Sequence, residues 1–198
     1  MTSAPVLIFL AGPNGSGKST FFDEYLADLG LAYVNADRIA SALRAADATA
    51  PQDQIDRRAF AAAEGLRASF VEARMSFCTE SVFSDPVGAK LELLAEARTR
   101  GLAVVLIFIG LDSPELSLAR VMQRAARGGH DIPDPKLYAR FPRVLANLRA
   151  AILVVDEAFL FDNSSFDEPY RLVARYAQGK LVSQHQPLPP WAHGLPGL

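Results

Sequence analysis

Val6-Leu-Ile-Phe-Leu-Ala-Gly-Pro-Asn-Gly-Ser-Gly-Lys-Ser-Thr20 is the stretch on which the fold of this chain turns. Six apolar residues of strand length run into Gly12, Pro13, Asn14, Gly15, Ser16, Gly17, Lys18 and Ser19, and a helix-compatible segment follows from Thr20. This is the G-x-x-x-x-G-K-[ST] pattern with a strand before it and a helix after it. Glycines at 12, 15 and 17 let the backbone curl so that successive N–H groups face one anion. The helix opening near Gly17 adds its partial positive end. Lys18 can then reach the β- and γ-phosphates, and the Ser19 hydroxyl can ligate the magnesium that bridges them. The stretch predicts a nucleoside triphosphate site, with ATP and Mg2+ as cofactors and residues 12–20 as their contacts.

Outward from the loop, strand-like runs recur at Leu31–Asn35, Ser76–Glu80 and Ala103–Leu111. Helical patterns cover Lys18–Leu29, Ala36–Ala46, Gln52–Met75 and Val87–Arg100, the last stopped by Gly101. Ser113-Pro114-Glu115 supplies an N-cap, an N1 proline and an acidic first turn for a helix to about Arg127. Asp134-Pro135 opens another towards Val155, in which Pro142 predicts a kink or a late start. Phe159–Asn163 reads as a last strand, and Tyr170–Tyr176 with Lys180–Gln184 as a hairpin around Gln178-Gly179. Strands alternating with helices predict an α/β, three-layer P-loop fold with a mainly parallel central sheet. A helical lid (about 120–143) and the C-terminal hairpin complete one domain over residues 1–185. The Pro- and Gly-rich tail, 186–198, is expected to be poorly ordered, with Trp191 docking it on the body or on a partner.

Composition narrows the class. With 198 residues, half of them hydrophobic, the chain can bury one full core. A net charge of −2 argues against a nonspecific nucleic-acid binder. The lone Cys78 excludes an intrachain disulfide, the N-terminus lacks a basic signal-like region, and no apolar run reaches membrane-spanning length. A soluble cytoplasmic protein with no membrane partner is expected.

In such sheets ligands sit at the carboxyl ends of the strands. The second strand delivers Asp37 and Arg38 to that edge, and the third delivers Thr79 and Glu80. A carboxylate there can orient an acceptor hydroxyl and take its proton; helix N-cap for Asp37 and strand-end acid for Glu80 are the structural alternatives. Arg120, Arg124 and Arg127 share one helix face and lead into Gly128-Gly129-His130, followed by Arg140 and Arg143. They suit a lid that neutralises charge on a transferring phosphoryl group, against the alternative of a solvated basic face. His130 next to Asp131 reads as a nucleotide contact or a turn residue, and no three-histidine metal site is expected.

Taken in order, Ala11–Thr20, Asn35-Ala-Asp-Arg-Ile-Ala40, Ser76-Phe-Cys-Thr-Glu-Ser81, Arg127-Gly-Gly-His-Asp-Ile-Pro133, Arg140-Phe-Pro-Arg143, Asn147-Leu148 and Phe161-Asp-Asn-Ser164 resemble the zeta-toxin family of small P-loop kinases. The likeness is to its short stand-alone branch, often labelled ABC-type ATPases, and spans roughly residues 6–164. It implies phosphorylation of a small molecule by ATP–Mg2+. In toxin members the acceptor is the 3′-hydroxyl of the sugar in UDP-N-acetylglucosamine, and an antitoxin protein is the implied partner. Carried over, Lys18 and Ser19 hold phosphates and magnesium, Asp37 is the acceptor-activating base, and Glu80 is an active-site acid. Arg120 and Arg127 or Arg140 clamp the phosphates. Three alternatives stay open. One is a kinase for a nucleoside, a sugar or an RNA end, and another is a nucleotide-dependent switch. The third is an ABC-like ATPase, in which Ile152-Leu-Val-Val-Asp156-Glu157 would be the acidic motif; no Leu-Ser-Gly-Gly-Gln-like segment precedes it, and 136–157 reads better as a helix.

Overall fold

The structure, a computed structural model, describes residues 4–86, 88–126 and 134–198. Strand β1 (Val6–Ala11) lies between β3 (Phe77–Ser81) and β4 (Ala103–Gly110), both parallel to it. Beyond β3 comes the short β2 (Ala32–Val34), and beyond β4 comes β5 (Glu157–Asp162), again parallel. The antiparallel pair β6 (Arg171–Ala177) and β7 (Lys180–Gln184) extends the far side, giving the order β2-β3-β1-β4-β5-β6-β7. The chain leaves β1 in one direction for β2 and later returns on its other side at β4. That reversal opens a crevice at the carboxyl end of β1.

Both faces of the central strands are apolar, which is what burial on both sides demands. Leu7, Phe9, Val104, Leu106 and Phe108 join the larger core with residues of α3 (Gln52–Glu72), α4 (Ala89–Thr99) and α6 (Asp134–Val154). Ile8, Leu10, Cys78, Ile107 and Ile109 point the other way, onto Phe21 and Phe22. The expected helix over Lys18–Leu29 is irregular. An α-helical turn, α1 (Lys18–Phe21), passes into a π turn (Phe22–Leu26) and a 3-10 turn (Ala27–Leu29). Here the two adjacent phenylalanines serve different partners, Phe21 against Phe161 and Tyr170, and Phe22 stacked on Tyr33.

Helix α2 (Ala36–Ala46) is capped by Asn35, whose side chain accepts from the amides of Asp37 and Arg38 at 2.8 and 3.1 Å. Asp37 is therefore in the first turn and is not the cap. Helix α5 (Pro114–Ala125) opens as expected, Ser113 Oγ accepting from the Leu116 amide at 3.2 Å. Val121 and Leu137, with Leu118, form a separate small core joining α5 to α6 in the expected lid region. Helix α6 starts at Asp134 and continues through Pro142, so the late start is not observed.

The tail corrects the sequence reading. Instead of lying loose, it makes a 3-10 turn (Pro190–Ala192) and buries Trp191, Ala192 and Leu195 in the larger core. Its proline and glycine content reflects turns, while three well-spaced apolar groups supply the anchorage. The ABC-like reading also falls. Asp156 precedes β5 at the amino edge of the sheet, accepting from the Val104 amide at 2.8 Å and pairing with Arg98 at 3.0 Å. Glu157 pairs with Arg175. Neither acid lies at the edge that carries Lys18.

Candidate functional site

The loop between β1 and α1 is closed on itself and gripped from behind. A Cβ at Gly12 (φ +149°) would stand 2.2 Å from the Ile109 carbonyl, so only glycine permits that approach. Gly17 (φ +90°) is held as tightly. A Cβ there would lie 2.8 Å from both Asn163 Nδ2 and the Tyr170 hydroxyl. Those two groups donate to the loop carbonyls, Asn163 to Ser16 at 2.9 Å and Tyr170 to Gly17 at 3.0 Å. Two loop carbonyls are thus satisfied from behind, and the Ser16 amide closes the loop on the Pro13 carbonyl at 3.3 Å. Neither Asn163 nor Tyr170 was singled out as a site residue from sequence. Asn163 sits in a quoted motif, whereas Tyr170 carried no local signal, its contact spanning 153 positions.

Lys18 is buried, and its ammonium donates to the Pro13 carbonyl at 2.9 Å. Burial pushes its pKa down, opposed by the carboxylates of Glu80 and Asp37, with Arg124 also lowering it. Glu80 is the hub of the acidic wall. One oxygen lies 3.9 Å from Lys18 Nζ; the other accepts from Ser19 Oγ at 2.9 Å, from Asn35 Nδ2 at 2.9 Å and from the Tyr33 hydroxyl. Asp37 is exposed at the start of α2, within electrostatic range of both Lys18 and Arg140. Thr20, in α1, stands beside Tyr170.

Two residues expected to touch substrate are otherwise engaged. Thr79 is fully buried; its hydroxyl donates to the Val34 carbonyl at 2.9 Å and accepts from Arg67 Nε at 2.7 Å. It ties strands together beneath the site and is out of a ligand's reach. Arg38 pairs with Asp23 and covers the Phe22 and Tyr33 rings. Arg67 was not anticipated. Its guanidinium also donates to the Glu80 carbonyl at 2.9 Å and pairs with Glu64, which Lys90 pairs with in turn. It therefore fixes the strand end that carries the acidic hub.

Helices α5 and α6 contribute Ser117, whose hydroxyl donates to the Asn14 carbonyl at 2.6 Å, and Arg140, 3.4 Å from Asn14 Oδ1. Arg120 lies over the Phe166 ring, 4.9 Å from its centroid, with Nη2 3.4 Å from the Ser164 carbonyl. Burial lowers the pKa of both Arg120 and Arg140. The loop and α6 meet at a shallow seam lined by Pro13, Asn14, Ser117, Leu137 and Arg140 among others. Arg127 and His130 lie outside the described residues. Among the described residues, no group of three or more His, Cys, Asp or Glu could hold a metal, and no helix is long and apolar enough to cross a membrane.

A glycine-rich loop at the switch point of a mostly parallel sheet, with a buried lysine at its end, defines a protein of the P-loop kinase fold. Residues 1–166 match the Zeta toxin family model, and the chain belongs to that family. An uncharacterized protein of Haemophilus influenzae is 28% identical over 134 residues, 68% of this chain and 91% of its own length. Among solved structures, the AvrRxo1-ORF1:AvrRxo1-ORF2 complex with sulphate ions superposes with a TM-score of 0.71 at 21% identity, covering 91% of this chain and 61% of that one. This chain thus spans less than two thirds of that relative. The same complex with ATP gives a TM-score of 0.63 at 19% identity over 91% of this chain and 60% of that one. The PezAT toxin–antitoxin system of Streptococcus pneumoniae gives 0.61 at 16%, covering 88% and 72%.

Proposed function

We propose that the chain is an ATP-dependent small-molecule kinase that moves the γ-phosphoryl group to an acceptor hydroxyl. Within its family the favoured acceptor is the 3′-hydroxyl of the sugar in UDP-N-acetylglucosamine. One observation carries the reading: the exposed carboxylate of Asp37 and the buried ammonium of Lys18 lie within electrostatic reach of each other at one sheet edge. A nucleotide switch needs the lysine but has no use for an exposed acid beside it.

Residues 12–20 bind the phosphates through loop amides and Lys18. Asp37 accepts the proton of the acceptor hydroxyl as its oxygen bonds to the γ-phosphorus, while the bond from that phosphorus to the β,γ-bridging oxygen breaks and ADP leaves. Lys18 and Arg140 neutralise charge developing on the transferring group, and Arg120 and Arg127 are the further clamp candidates. Ser19 Oγ and the Glu80 carboxylate, 2.9 Å apart, form a hard-oxygen pair that would hold a magnesium ion, which would supply positive charge beside the phosphates. Glu80 also holds Ser19 in place, and Asn35 and Tyr33 hold Glu80.

A cytoplasmic setting suits the lone buried Cys78, and an antitoxin-like protein is the partner this family membership favours. 31P NMR of the protein with ATP–Mg2+ and a panel of nucleotide sugars, nucleosides and RNA ends tests the proposal. It predicts a phosphomonoester resonance on one acceptor, growing as ADP forms. Inorganic phosphate as the sole product with every acceptor would overturn it.

A further inference from the structure

We infer that the C-terminal segment, outside the matched family region, is a working part of the site: Trp191 positions the Asp162–Ser164 turn that holds the phosphate loop and Arg120. Trp191 is 3% exposed and its ring lies on the backbone of Gly110, where a Cβ would stand 2.3 Å from the indole. A purely packing role would need only the ring. Its N–H, however, donates to Asp162 Oδ1 at 3.2 Å, at the carboxyl end of β5.

From Asp162 the connections run directly into the site. The same oxygen accepts from Ser164 Oγ at 2.6 Å, and that hydroxyl in turn accepts from the Asp112 amide at 2.9 Å, just before α5. The Ser164 carbonyl faces Arg120 Nη2 at 3.4 Å, and Asn163 is the residue between Asp162 and Ser164. Asn163 donates from its amide to the Gly110 carbonyl at 3.1 Å and from its side chain to the Ser16 carbonyl at 2.9 Å. One turn therefore holds both the phosphate loop and a lid arginine, and the tail fixes the carboxylate at its root. Arg171 Nη2 waits 3.6 Å from the other oxygen of Asp162. Without the indole donor, a buried carboxylate short of one partner turns towards that arginine and loosens its hold on Ser164. The far end of the tail is tied separately, Tyr176 donating to the Pro196 carbonyl at 2.9 Å. Trp191 can thus be perturbed with the tail still attached.

The kinetic part of this inference rests on the kinase reading; the structural part does not. Trp191→Phe removes the N–H and keeps an aromatic ring, while Leu195→Ala weakens the tail's packing without touching Asp162. Hydrogen exchange on the full, ligand-free chain decides first. Trp191→Phe should speed exchange at the Asp112 and Asn163 amides roughly 5- to 30-fold, leaving the interior of β1 unchanged, and Leu195→Ala should not single out those two amides. Equal loosening by both variants, or wild-type rates at Asp112 and Asn163 in Trp191→Phe, overturns the inference. In an active enzyme, KM for ATP should rise severalfold in Trp191→Phe alone, and an unchanged KM also overturns it. A wild-type protein that never consumes ATP sinks the kinase reading instead, and the exchange result still stands as the test.

Discussion

Lys18 carries its charge into a place that water scarcely reaches, 5% exposed, and this has a consequence for pH. Burial holds the folded-state pKa below the ordinary 10.5, so between the two values the unfolded chain binds more protons. Stability from this group therefore rises with pH across that window, and the cost of the buried charge is fully present below it. An anionic phosphate relieves the same cost. Lys18→Met should fold with a near wild-type thermal midpoint and show a flatter stability profile towards pH 10. Wild type should gain about 2.7 kcal/mol at ATP concentrations 100 times its Kd, and Lys18→Met almost none; thermal unfolding with and without ATP checks both. Asn35 separates two roles in one side chain. Asn35→Asp keeps an acceptor for the Asp37 and Arg38 amides but sets a second carboxylate against Glu80. Urea unfolding at neutral pH should show a loss greater than the roughly 1 kcal/mol of a missing cap, because the new buried carboxylate faces Glu80, and turnover should fall roughly tenfold or more.

At the scale of elements, legibility followed the range of the interactions. The order of strands and helices, the Ser113 cap and the hairpin were readable because apolar periodicity, capping and turn chemistry are local. The π turn after α1 was not, since it answers to Tyr33 on one side and Phe161 with Tyr170 on the other. The site divided in the same way. Loop, Asp37 and Glu80 stand at strand ends and could be read there, whereas Arg67 looked like one more charge on a long helix. Its value comes from a cross-chain clamp on Thr79 and the Glu80 carbonyl. Arg67→Met leaves the Thr79 hydroxyl and the Glu80 carbonyl short of a donor while Lys90 still neutralises Glu64, so it should cost about 1–3 kcal/mol in denaturant unfolding. A loss under 1 kcal/mol would mean that α3 does not brace the edge.

For the whole molecule, the carboxyl edge of one sheet gathers parts from most of the chain, including a tail whose composition suggested disorder. Composition misled there because a few anchors suffice: Trp191 on Gly110, Leu195 in the core, and the Tyr176 bond to Pro196. Gly110→Ala should drive the indole off the sheet, at a cost of about 1–3 kcal/mol for the overpacking. Because Trp191 is the chain's only tryptophan, its emission should shift to the red in that variant, and an unshifted spectrum would contradict the packing described. Helices α5 and α6 meet beside the phosphate loop, bringing Ser117 and Arg140 to Asn14 and Arg140 within range of Asp37. The reaction proposed for this edge is phosphoryl transfer assisted by Asp37. Mass spectrometry of reactions with ATP–Mg2+ and nucleotide sugars, comparing wild type with Asp37→Asn, tests that claim most directly. The account predicts an acceptor heavier by one phosphoryl group with wild type, formed roughly 100- to 10,000-fold more slowly by Asp37→Asn. Equal product from both proteins would contradict it.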